Sequence, residues 1–115
     1  MKQHNYFIYI VTNTSKTVFY TGVTNNLEAR LYEHYLNRGN DKSFAGKYYG
    51  YNLIHYERFQ YIQHAIDREK EIKGWQRSKK LDLINAENPQ LRFYNEEGCT
   101  KWPPPKGVDL RQSYN

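Results

Sequence analysis

The sequence predicts a small α+β domain, in which a three-stranded antiparallel sheet is flanked by helices in the order β-β-α-β-α-α and an irregular C-terminal tail follows. Two β-branched and aromatic runs lie close together near the start of the chain, and two later stretches carry apolar residues at helical spacing. The chain has 115 residues, the length of one domain, and 17% of them are aromatic, which can supply a core.

The first two strands are predicted to form a hairpin. Residues 6–12 are typical of a strand with both faces covered, and residues 17–23 indicate a second strand after a short turn. With the tip near residues 14–15, Tyr9 and Tyr20 would lie almost directly opposite each other, with Cβ atoms about 5 Å apart.

The first helix is predicted to begin after Asn25, with Glu28 forming a weak capping box, and to end at Gly39. Residues 39–50 contain several glycines and lysines and are predicted to form a loop. A third, short strand is expected at residues 53–57.

The clearest helix is predicted over residues 61–77, where apolar residues recur at helical spacing. At 100° per residue, Glu69 projects from the centre of its apolar face. A last helix, residues 79–86, is expected to stop at Asn88-Pro89.

The predicted domain spans residues 1–94, and a proline-containing tail spans residues 95–115. The run Trp102-Pro103-Pro104-Pro105 favours polyproline II, and this tail either lies on the domain or is loosely ordered. One cysteine allows neither an internal disulfide nor a zinc site. With no signal peptide or membrane-spanning run in the sequence, we expect a cytoplasmic protein.

Five polar side chains could carry chemistry. Glu69 on an apolar face is costly unless it has a buried partner such as Arg30, lies at the edge of a slightly rotated helix, or binds a divalent cation. Arg30 and His34, four residues apart, are either a solvated helix flank or a phosphate-binding guanidinium beside a titratable imidazole. Tyr9 and Tyr20 are either strand aromatics or phenols whose pKa a nearby cation lowers.

In this order the residues resemble the GIY-YIG nuclease family. Residues 7–9 (Phe-Ile-Tyr) correspond to the first tripeptide of the family's name and residues 20–22 (Tyr-Thr-Gly) to the second. Phe7 stands where the name has glycine, and Thr21 where it has isoleucine. The two tyrosines are kept.

The rest of the motif follows downstream. Arg30 and His34 match the family's helix motif, Glu69 matches its metal-binding acid, and Asn88 is similar to its last polar position. The resemblance covers roughly residues 5–90. It is closest to small single-domain bacterial members, which resemble the catalytic domains of the excision-repair incision subunit and of phage homing endonucleases.

The resemblance implies a Mg²⁺- or Mn²⁺-dependent endonuclease that hydrolyses phosphodiester bonds in nucleic acid, DNA rather than RNA, with low sequence specificity and with DNA repair as one setting. Glu69 would hold the metal ion, and Tyr9 would be the general base for the attacking water. Tyr20 would orient the water, Arg30 would stabilise the phosphate charge, and His34 would hydrogen-bond Tyr9 or relay its proton.

The formal net charge of +5 favours a polyanionic partner, although a solvated basic surface would have the same composition. Two alternatives stay open: a catalytically weak nucleic-acid-binding module of the same fold, and a protein-interaction domain whose proline tail binds an aromatic groove. The predicted nucleic-acid contacts are Arg38, Lys42, Lys47, Lys73, Arg77, Lys79, Lys80 and Asn88.

Overall fold

The computed structural model describes residues 4–107 and confirms the α+β fold. Its antiparallel sheet has the strand order β2-β1-β3, so β1 is central and β2 and β3 lie at the edges. The strands are β1 (Tyr6–Thr12), β2 (Phe19–Thr24) and β3 (Asn52–Phe59), and the helices are α1 (Leu27–Leu36), α2 (Phe44–Lys47), α3 (Ile62–Lys73), α4 (Arg77–Glu87) and α5 (Asn95–Gly98).

The core has two layers, one on each face of the sheet. Successive residues of a strand point to opposite faces. On β1, Tyr9 therefore packs with Leu31 of α1, whereas Ile8 and Ile10 pack with Ile72 of α3 on the other face. Because both faces are covered, the central strand is an almost continuous apolar run, as its sequence predicts.

The hairpin register differs from the prediction. Tyr9 pairs with Gly22, and Tyr20 pairs with Val11, so the tip lies one position later than residues 14–15. The turn is fixed by Asn13, whose Oδ1 accepts hydrogen bonds from two backbone amides, that of Thr17 at 2.8 Å and that of Val18 at 3.3 Å. The two tyrosines are therefore diagonal neighbours on one face, not a directly opposed pair.

Several helix ends also differ from the prediction. The N-cap of α1 is Asn26 rather than Asn25, and its side chain accepts a hydrogen bond from the amide of Ala29 at 3.0 Å. This helix ends at Leu36 instead of continuing to Gly39. The long helix predicted to reach residue 77 ends at Lys73, because Gly74 interrupts it and α4 then begins.

Two short helices occupy segments predicted to be irregular. The predicted loop contains α2, and the predicted tail contains α5. Beyond α5, Trp102 stacks on Tyr32 with ring centroids 6.2 Å apart and meets Tyr35 edge-on at 5.3 Å. The tail therefore lies on the domain at Trp102, and residues 108–115 fall outside the described part. Within residues 4–107, no helix has both the length and the apolar character that crossing a membrane requires.

Candidate active site

Two tyrosines and a histidine meet on the face of the sheet that α1 covers. The Tyr9 Oη lies 2.9 Å from the Nε2 of His34. The Tyr20 ring centroid is 6.4 Å from that of Tyr9 and 5.5 Å from that of His34. Tyr9 is fully buried, while Tyr20 and His34 are partly exposed, so the cluster opens to solvent on the Tyr20 and His34 side.

Gly22 makes this arrangement possible. The Tyr9 ring lies directly over it, and a Cβ at this position would be 2.5 Å from Cζ and 2.8 Å from Cε1 of Tyr9, with the hydroxyl closer still. No side chain fits in that space. Although Gly22 is part of the tripeptide found in the sequence, the sequence does not show that it is required by Tyr9, because that depends on the register.

Arg30 completes the cluster from one helical turn before His34. Its side chain is 39% exposed, and its Nε lies 3.4 Å from Oε2 of Glu33. Its positive charge acts both on the Tyr9 hydroxyl and on the His34 ring. The predicted pair of Arg30 and His34 is therefore brought together with Tyr9.

Burial sets the protonation states of this cluster. It raises the pKa of Tyr9 far above its ordinary value, and the opposing effect of Arg30 is smaller. Arg30 does lower the pKa of this phenol, as expected of a neighbouring cation, but burial outweighs it and the net shift is upward. Burial also lowers the pKa of His34 to about 4, and Arg30 acts in the same direction. His34 is therefore neutral at pH 7.

The hydrogen bond between Tyr9 and His34 couples the two groups directly. A neutral imidazole has one donor nitrogen and one acceptor nitrogen, so the direction of this bond depends on the tautomer of His34. In the tautomer with its proton on Nδ1, the Nε2 accepts from the Tyr9 hydroxyl. The lowered pKa of His34 makes its ring a weak proton acceptor while Arg30 stays beside it.

Glu69 approaches from α3, which packs on the opposite face of the sheet. Its side chain is 16% exposed, and its Oε1 lies 3.4 Å from the Nζ of Lys73. The partner of this carboxylate in the described structure is thus Lys73, one turn along α3, and not Arg30. The same Nζ lies 5.9 Å from the ring centroid of Tyr20. Lys73 therefore links Glu69 to the tyrosine cluster, a role that sequence reasoning missed.

The oxygen ligands available here fit a hard divalent cation held mainly by water and substrate. Within residues 4–107, no group of three His, Cys, Asp or Glu side chains could enclose a metal ion. A single carboxylate such as that of Glu69 is nevertheless sufficient for Mg²⁺, which keeps several waters and is completed by substrate phosphate oxygens.

Most of the predicted nucleic-acid contacts are surface cations, several of them on aromatic rings. The guanidinium of Arg38 lies 3.9 Å from the ring centroid of Tyr35, and the Nζ of Lys79 lies 4.5 Å from the ring of Trp75. Lys42 and Lys47 are exposed between α1 and β3, and Lys80 is partly exposed on α4.

Two of the predicted contacts have roles within the fold. Arg77 donates to the carbonyl oxygens of Thr17 at 2.7 Å and of Lys16 at 2.9 Å, which ties α4 to the hairpin turn. Asn88 is 2% exposed, and its Nδ2 donates to the Ile54 carbonyl at 3.1 Å. The prediction that Asn88 contacts nucleic acid is corrected accordingly, because its buried amide fastens the end of α4 to β3.

Residues 5–82 match the family described as the GIY-YIG catalytic domain. The chain belongs to the GIY-YIG family. It is 34% identical to a UPF0213 protein of Natronomonas pharaonis over 72% of this chain and 94% of that protein. It is 35% identical to a UPF0213 protein of Syntrophus aciditrophicus over 73% of this chain and 93% of that protein. The solution NMR structure of the UPF0213 protein BH0048 from Bacillus halodurans aligns with a TM-score of 0.47 and 24% identity, covering 76% of this chain and 90% of that one.

Both departures from the GIY-YIG tripeptides lie beside the tyrosine cluster rather than within it. Phe7 packs edge-on against Tyr56, with ring centroids 6.3 Å apart. Thr21 is buried opposite Ile10 and, as a strand residue between Tyr20 and Gly22, points to the other face of the sheet. Neither substitution removes a polar group from the cluster of Tyr9, Tyr20, Arg30 and His34.

Proposed function

We propose that the protein is a metal-dependent endonuclease that hydrolyses phosphodiester bonds in DNA with low sequence specificity. One observation carries the proposal: a buried phenol is hydrogen-bonded to a neutral imidazole beside an arginine, and Lys73 connects a carboxylate of the opposite layer to the same cluster. The family to which the chain belongs is a nuclease family, which supports hydrolysis as the reaction.

The proton of the attacking water passes through Tyr9 to His34. In the tautomer that has Nε2 as its acceptor, the phenol takes that proton as it gives its own to Nε2 of His34, 2.9 Å away. The negative charge of the bound phosphate, together with the departure of Arg30, raises the pKa of the imidazole from its lowered value, so that it holds the proton. A phenol with a raised pKa is a poor base alone, but with an acceptor already hydrogen-bonded it need not be ionised beforehand. Because Tyr9 is fully buried, water reaches its oxygen only after a neighbouring side chain moves.

Arg30 is the side chain suited to that movement. It is partly exposed, pairs with Glu33 alone among the acidic side chains of residues 4–107, and binds phosphate well because its guanidinium is a flat, charged fork. Transfer of Arg30 to the scissile phosphate would stabilise the developing charge and uncover the Tyr9 hydroxyl in one step. Tyr20, at the open side of the cluster, orients the water.

Glu69 would hold the divalent ion, Mg²⁺ or Mn²⁺. When bound, the ion supplies Lewis-acid assistance at the phosphate. Glu69 itself would exchange Lys73 for the ion, and the freed ammonium would stay beside Tyr20, where it can contact the substrate backbone.

The experiment compares cleavage of labelled DNA with and without Mg²⁺ for the wild type, Glu69→Gln and Glu71→Gln. Glu71 is the matched control, since it lies two residues away on α3, is 54% exposed and bonds Arg68. We expect orders of magnitude less cleavage with Glu69→Gln and near-normal cleavage with Glu71→Gln. Metal-independent binding of DNA with no cleavage by any of the three proteins would favour the alternative, a binding module of the same fold.

A further inference from the structure

A second feature lies beside the edge strand β2. It is a cleft of about 230 Å³ that brings together the start of β2, the first residue of α2 and the first turn of α4. Its lining residues are Thr17, Val18, Phe19, Phe44, Arg77 and Lys80.

The cleft has aromatic walls that are accessible. Phe44 is 51% exposed, and its ring lies 4.9 Å from that of Tyr48, which is 41% exposed. Phe19 forms the opposite side and carries the guanidinium of Arg77 4.5 Å from its ring centroid. Single exposed aromatics are common, but these come from separate segments and converge on one cleft with two cations.

The charge of the cleft is positive and uncompensated. Its lining contains no acidic residue. Two backbone carbonyls hold Arg77 in place, and among residues 4–107 neither Arg77 nor Lys80 forms an ion pair within 4 Å. An aromatic surface with fixed positive charge beside it matches a nucleobase attached to a phosphate.

The cleft borders the edge strand that also carries Tyr20. Phe19 directly precedes Tyr20 on β2, and because successive strand residues point to opposite faces, Phe19 packs with the α3 layer while Tyr20 faces the α1 layer. A polynucleotide that crosses the edge formed by β2 therefore meets Tyr20 on one side and this cleft on the other.

We propose that the cleft binds one unpaired nucleotide of a single-stranded DNA segment, with its base stacked on Phe44 and its phosphate held by Arg77 and Lys80. Stacking on a protein ring requires a base that has left its own helical stack, so a fully paired duplex cannot use this site. The inference rests on the proposed function, since it assigns the form of DNA that the same active site receives.

The test measures binding without divalent ions, so that cleavage plays no part. The probes are a short single strand containing 2-aminopurine, whose fluorescence falls on stacking, and a blunt duplex of the same sequence. The proteins are the wild type, Phe44→Ala, Phe44→Tyr and the matched control Tyr61→Ala, which removes an aromatic 59% exposed at the start of α3.

We expect Phe44→Ala to bind the single strand about tenfold more weakly and to lose the fluorescence quenching, as is usual for loss of one stacked base. Phe44→Tyr and Tyr61→Ala should behave as the wild type, and duplex affinity should not change. Lys80→Gln should lower the slope of log affinity against log salt by about one. Equal losses on single strand and duplex, or unchanged quenching in Phe44→Ala, would overturn the inference.

The two proposals fail separately. If the wild type cleaves DNA in a metal-dependent manner but binding does not depend on Phe44, the nuclease proposal stands and the nucleotide-binding cleft is refuted. If fluorescence quenching depends on Phe44 but no divalent ion supports cleavage, the nucleotide-binding cleft stands and the nuclease proposal is refuted.

Discussion

Replacing Gly22 with alanine should destroy the active site through a single methyl group. The added Cβ would lie 2.5 Å from Cζ and 2.8 Å from Cε1 of Tyr9, whereas carbon atoms in contact prefer about 3.5–4.0 Å. The tyrosine ring must therefore move by about 1 Å or more. Since its hydroxyl is 2.9 Å from Nε2 of His34, that movement breaks the hydrogen bond on which the proposed proton transfer depends.

The cost can be worked out from these contacts. Overpacking a well-packed core costs about 1–3 kcal/mol, and the lost Tyr9–His34 hydrogen bond adds about 1 kcal/mol. We expect Gly22→Ala to lower the free energy of unfolding by about 2–4 kcal/mol. For a domain of this size, the melting temperature should fall by about 10–25 °C.

The assay is urea unfolding together with DNA cleavage well below the melting temperature. Gly50→Ala is the matched control, because a Cβ there would meet nothing closer than an Ala45 backbone oxygen at 3.6 Å. Tyr9→Leu lacks the ring atoms that clash, so Gly22→Ala should cost much less in that background, and the double-mutant cycle should show a coupling of more than about 1 kcal/mol. Wild-type stability and cleavage in Gly22→Ala would refute the reasoning.

Four further outcomes are expected. Arg30→Ala should reduce turnover more than affinity, and a defect explained wholly by affinity would make Arg30 only a phosphate anchor. DNA affinity should fall by roughly one to three decades between low and moderate salt, and a constant affinity would contradict a backbone-dominated contact. Trp102→Ala should lower the free energy of unfolding by about 2 kcal/mol in urea titrations, because this ring packs on α1; unchanged stability would mean that the tail is not part of the core. Because burial lowers the pKa of His34 from 6.5 to about 4, stability should decline as pH falls from 6.5 towards 4, and His34→Gln should lack that portion of the decline.

The sequence was sufficient for the three strands and the three longer helices. Strand β1 was predictable because its apolar run has a single physical explanation, coverage on both faces, and α3 because its periodicity extends over three turns. The side of α3 on which Glu69 lies followed from the rotation of 100° per residue along a helix. The short helix α2 inside the predicted loop, residues 39–50, could not be predicted. It is a single turn that depends on one cap, in which the Ser43 hydroxyl accepts a hydrogen bond from the Gly46 amide at 3.0 Å.

Protonation states and partners were beyond sequence reasoning. The pKa of Tyr9 depends on a competition between burial and the charge of Arg30, and only the packing of α1 on the sheet decides which is larger. The register of the hairpin depends on Asn13, one polar residue in a six-residue connection. The cleft at Phe44 could not be foreseen either, since it is built from segments far apart in the chain.

The strand order explains how groups from two separate core layers can act on one phosphate. Tyr9, Tyr20 and His34 belong to the layer on the α1 side, and Glu69 comes from a helix packed on the other side. A sheet separates the side chains on its two faces, which can meet only around an edge strand. With the order β2-β1-β3, the edge strand nearest the tyrosines is β2. Lys73, which lies within 4 Å of Glu69 and over the ring of Tyr20, indicates that the two sets meet at that edge. An additional strand paired to β2 would close this passage, so the small sheet is a requirement of the site as well as of the fold.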